Sequence, residues 1–86
     1  MTNVDLPKII DDVEAGLRQH HNGVRLHVDR ERCYASEVTV YVLVIVDDYG
    51  GKSPLDLVRI FEMVEEEVTR RHHADVLVLP AAPMLG

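Results

Sequence analysis

The sequence predicts an α+β fold. The expected form is a two-layer sandwich in the order α-β-β-α-β, with a three-stranded mixed sheet and both helices on one face. Three observations predict it. Apolar residues recur at helical spacing over 6–21 and again over 54–71. A valine-rich run over 37–47 alternates at period two. The chain has 86 residues, 47% of them hydrophobic and 28% charged, which is ordinary globular composition for one domain spanning 1–86.

The first helix carries Leu6, Ile9, Ile10, Val13 and Leu17 on one stripe, with Asp5 as its cap and Pro7 in its first turn. Asn22-Gly23 stops it, because both residues tolerate the left-handed conformation of a helix end. A first strand over 24–30 alternates Val24, Leu26 and Val28 with Arg25, His27 and Asp29. Residues 30–36 read as a polar connection that holds Cys33.

The second strand sets Val38, Val40, Val42, Val44 and Val46 on one face. Thr39, Tyr41, Leu43 and Ile45 fall on the other, which is also apolar. The strand is therefore central, or its second face meets a partner, and Tyr41, Leu43 and Ile45 are the candidate interface. After the turn at Asp47–Lys52, Ser53 caps the second helix, Pro54 opens it and Asp56 completes a capping box. Leu57, Ile60, Phe61, Val64 and Val68 form its buried stripe, and Glu62, Glu65, Glu66 and Glu67 a solvated face. A third strand over 75–79 ends at Pro80 and runs parallel to the strand it joins, since a helix intervenes. Residues 81–86 read as a loose tail.

Composition excludes several function classes. Nine basic against fifteen acidic residues give a net charge of −6, and the only dense basic group, Arg70 to His73, complements a helix C-terminus. Nucleic-acid binding is not expected. The longest apolar run, Val38 to Val46, is broken by Thr39 and is too short for a membrane span. No signal peptide is visible, and a single cysteine points to the cytoplasm.

Catalytic motifs are weak. Gly51-Lys52-Ser53 looks like the end of a phosphate-binding loop, but Val46 stands where that loop needs glycine. Adjacent carboxylates at Asp11-Asp12 and Glu65–Glu67 point in different directions on their helices. Ser36 and Ser53 lack a nucleophile context, so no enzyme is expected. Cys33 and His73 are the candidate metal or cofactor ligands, since a thiolate with an imidazole suits a soft centre completed by a partner.

Val13–Arg18, Asn22–Val28, the turn Tyr49-Gly50-Gly51-Lys52-Ser53 and His73-Ala74 resemble the BolA family, small KH-like domains of α-β-β-α-β order. The resemblance covers about residues 9–80. It implies a non-enzymatic adaptor that shares a [2Fe–2S] cluster with a monothiol glutaredoxin and glutathione, with Cys33 and His73 as ligands. The family's Arg-His-Arg signature is replaced by Leu57-Val58-Arg59.

Ser53 to Pro80 is similar to the cytoplasmic C-terminal domain of cation diffusion facilitators: a serine-started helix with paired glutamates, then a strand ending at proline. The metal-binding histidine usual early in that helix is absent. This second resemblance implies a dimerisation or regulatory module. The apolar second face of the second strand separately supports an alternative to the iron–sulfur adaptor, a small homodimeric interaction module with no metal site.

Overall fold

The structure, a computed structural model, describes residues 5–20 and 23–81. Its elements are α1 (Leu6–His20), β1 (Arg25–Val28), β2 (Tyr34–Ala35), β3 (Thr39–Asp48), α2 (Pro54–His72) and β4 (Asp75–Ala81). The expected last residue of the first helix, His21, and the tail beyond Ala81 lie outside the described residues.

Both helix starts follow from their first residues. At α1 the Asp5 carboxylate accepts the Lys8 amide at 3.3 Å. At α2 the Ser53 hydroxyl accepts the Asp56 amide at 3.3 Å, and the Asp56 carboxylate accepts the Ser53 amide at 3.2 Å. That reciprocal box satisfies donors the helix cannot satisfy itself. It also holds the Asp56 carboxyl below its ordinary range.

β3 lies at the centre of a mixed sheet. β4 runs parallel along one edge, from Thr39 opposite Asp75 to Ile45 opposite Ala81. β1 and β2 are antiparallel to β3 and share its other edge, β1 opposite Val44–Asp48 and β2 opposite Val40 and Tyr41. The sheet therefore has four strands where the sequence predicted three. The expected polar connection over 30–36 contains the fourth. Two residues are too few to show alternation, and β2 exists only because β3 offers it a partner.

The helices cover one sheet face. Ile9, Val13 and Leu17 of α1 and Phe61, Val64 and Val68 of α2 bury against Val40, Val42 and Val44 of β3 and Val76 and Val78 of β4. The helices approach closely at Gly16, where a Cβ atom would sit 3.1 Å from the Val64 side chain.

Three further expectations are corrected. β4 does not stop at Pro80 but runs to Ala81, opposite Ile45, so Ala81 belongs to the strand and not to the tail. Val38 is 79% exposed rather than on the buried face. The Ser36 hydroxyl accepts the amides of Val38 and Thr39 at 3.3 and 3.0 Å, so Val38 belongs to a turn and alternation begins at Thr39. Glu65 leaves the solvated face of α2. It is half-buried and accepts the Val78 amide at 2.8 Å.

Candidate functional site

The face of the sheet opposite the helices is apolar, and no described element lies over it. β3 places Tyr41, Leu43 and Ile45 there because Val40, Val42 and Val44 take the inward positions. β4 adds Leu77 beside Tyr41 and Leu79 beside Leu43. β2 adds Tyr34, whose ring stacks on Tyr41 with centroids 4.7 Å apart. The result is an apolar patch of Tyr34, Tyr41, Leu43, Ile45, Leu77 and Leu79 at the middle of the face. Tyr34 is 53% exposed and Leu79 37% exposed; the other four are half-buried.

Polar groups rim the patch. His27, opposite Ile45, has its Nδ1 2.9 Å from the Asp47 carboxylate. At the other end the Thr39 hydroxyl donates to the Asp75 carboxylate at 3.0 Å.

The sequence placed Tyr41, Leu43 and Ile45 on this face of the sheet and did not place Tyr34, Leu77 and Leu79 there. The signal for the leucines was present. Leu77 and Leu79 alternate with Val76 and Val78 in a strand whose second face is as apolar as its first. Tyr34 gave no signal because β2 has no pattern of its own.

Cys33 lies elsewhere. Between β1 and β2 the chain bulges away from β3, and Leu43 loses a backbone acceptor for its amide. The Cys33 Sγ atom takes that role at 3.4 Å and itself donates to the Asp29 carbonyl at 3.2 Å. The thiol thus patches a gap in the ladder. Burial, the largest cause, pushes its pKa up. A metal ligand must be the thiolate, so this environment works against that role.

His73 caps α2 in the left-handed conformation, φ 52°. It borders a cavity of about 160 Å³ with Glu37 and Asp75, at the Thr39 end of the sheet. Cys33 touches Leu43 on one edge of β3, whereas His73 precedes the strand on the other. The offset along β3 is four residues, about 13 Å at ~3.3 Å per residue. Metal–ligand bonds are roughly 2 Å long, so the structure does not bring Cys33 and His73 onto one centre. Among the described residues no group of three or more His, Cys, Asp and Glu side chains converges to hold a metal ion.

The serines are likewise engaged locally. Ser36 closes the turn before β3, and Ser53 caps α2. No helix among the described residues is long and apolar enough to cross a membrane.

No family model and no curated protein matches the chain. Among solved structures it is similar to the metal-bound C-terminal domain of the CzcD transporter from Thermotoga maritima. The TM-score is 0.58 at 20% identity, over 93% of this chain and 91% of that one. The likeness is one of fold, and it agrees with the second resemblance, to the C-terminal domain of cation diffusion facilitators. Nothing in the comparisons or the geometry supports the BolA resemblance or its cluster.

Proposed function

We propose that this protein is a small, non-catalytic interaction module that associates with a second copy of itself through the outer face of its sheet. The observation that carries the reading is the uncovered patch of Tyr34, Tyr41, Leu43, Ile45, Leu77 and Leu79. Apolar surface left in water is unfavourable by about 25 cal/mol per Å², so a contiguous patch calls for a cover.

A second copy suits this face. Charges stand at the rim and none inside, so the net charge of −6 does not oppose the contact within the patch. Two flat, twisted sheets pack face to face at about 10 Å with strands roughly 30° apart. A two-fold axis through the patch makes each row meet its equivalent. The whole outer face, charged rim included, is ten residues of β3 by three strand widths, on the order of 450 Å² per copy and about 900 Å² for a pair, by strand spacing. That is below the roughly 1,200 Å² at which stable specific interfaces begin and in the range of weak, transient ones, so the pair is weak and concentration-dependent.

Three local facts support the non-catalytic part. The Cys33 thiol is buried, the Ser53 hydroxyl is held in a cap, and the Ser36 hydroxyl donates to the Thr39 carbonyl. The neighbour's bound metal gives a second variable to measure. Among the described residues of one copy no three-ligand group converges, so zinc and chelator are compared in the test.

Sedimentation velocity from about ten micromolar to about one millimolar tests the proposal, with zinc and with chelator. The expected result is a monomer–dimer equilibrium in both conditions, shifted to monomer by Leu43→Glu with unchanged circular dichroism. A wild-type monomer throughout overturns self-association. A dimer seen only with zinc replaces the apolar patch by the metal as its cause.

A further inference from the structure

Sheets associate in two ways, face to face or by adding a strand at an edge. β4 is an outer strand, seven residues long, and its side away from β3 is where another strand would add. An open outer strand presents a row of unpaired amides. Here the amides of Val76 and Val78 point outward, and each is already engaged. Val76 donates to the Thr69 hydroxyl at 3.1 Å, and Val78 to the Glu65 carboxylate at 2.8 Å. The next outward position in the same alternation is Pro80, which has no amide hydrogen.

Glu65 and Thr69 stand four residues apart on α2, so they form one stripe of the helix facing β4. Reaching this position buries part of the Glu65 carboxylate, which raises its pKa against the pull of the Val78 amide. A glutamate on a solvated face has no such penalty. We propose that Glu65, Thr69 and Pro80 form a latch that closes the β4 edge to strand addition, so that a second copy joins through the face and not by open-ended sheet extension. Strand addition at β4 must displace both side chains and still finds no donor at residue 80. The closure matters most where β3 and β4 are rich in β-branched residues, since such edges template aggregation. The inference deepens the proposed self-association by stating which geometry it excludes.

Three variants test it under native conditions. Glu65→Ala with Thr69→Val removes both acceptors. Pro80→Val, at an exposed position, adds an outward donor. Glu65→Gln keeps a carbonyl acceptor for Val78. The double variant is expected to exchange the Val76 and Val78 amides at least roughly tenfold faster than wild type. The double variant and Pro80→Val should also form species larger than a dimer that bind thioflavin T, while Glu65→Gln behaves as wild type. Should the double variant fail to fold, Pro80→Val alone decides by the size and dye measurements.

Folded variants that keep the wild-type size distribution and remain dye-negative overturn the latch. The two readings fail separately. A wild-type monomer removes face pairing but leaves the latch standing if the opened variants assemble. A wild-type dimer with inert variants does the reverse.

Discussion

Gly50 lies at φ +60°, and a Cβ added there would run into the backbone carbonyl of Gly23. Two loops meet at that point, the one before β1 and the one after β3. Gly50→Ala meets both the left-handed penalty and a backbone that cannot yield, so a loss of roughly 1–3 kcal/mol is expected in urea unfolding. Gly51, at φ +81°, has open space around it, and its alanine variant should lose less. Glu65 makes a pH prediction. Burial raises its folded pKa, whereas the unfolded chain titrates near the ordinary value of about 4.3. Below that value both states carry the proton and nothing separates them. Above it the unfolded state ionises first, so stability falls as pH rises through the folded pKa. Glu65→Gln is expected to melt higher than wild type at neutral pH and to converge with it near about pH 3.5. An equal offset at both pH values in thermal melts shows that ionisation has no part. Residues of this kind were the least legible in the sequence. Cys33 read as a ligand because its residue type suits metals, and its role as a substitute acceptor in the ladder depends on a bulge that no local pattern encodes.

Capping and periodicity were legible at the scale of elements because they are local. Ser53, Pro54 and Asp56 specify the start of α2 within four positions, and the structure shows both hydrogen bonds of the box. Ser53→Ala removes one of them and is expected to cost about 1 kcal/mol, read as a lower midpoint in denaturant without a change in slope. An unchanged midpoint means the cap contributes nothing to the fold. Non-local pairing was illegible for the opposite reason. β2 is two residues held by β3, and the expected strand over 37–47 began two residues before β3 because the Ser36 turn removes Glu37 and Val38 from the alternation. The parallel course of β4 was legible from the intervening helix, since a crossover back to the same sheet end allows nothing else.

The whole molecule is a sheet dressed on one side. Among the described residues, fourteen buried ones form the core cluster between helices and sheet, while the opposite face keeps aromatic and branched side chains partly in water. The two-sided apolar pattern of β3 was visible in the sequence and pointed to that face. Its full extent was less so: Tyr34 comes from a strand with no pattern of its own, and the alternation of Leu77 and Leu79 was present but their places beside Tyr41 and Leu43 come from the register of the fold. Fold likeness to the CzcD domain agrees with this architecture and leaves the role of the face to direct measurement. The most direct is a dilution series of amide NMR spectra from about one millimolar to about ten micromolar, read residue by residue. The account predicts concentration-dependent shifts at Tyr41, Leu43, Ile45, Leu77 and Leu79, with the exposed flanks of α1 and α2 unmoved. Shifts confined to the helices, or none across the series, contradict it.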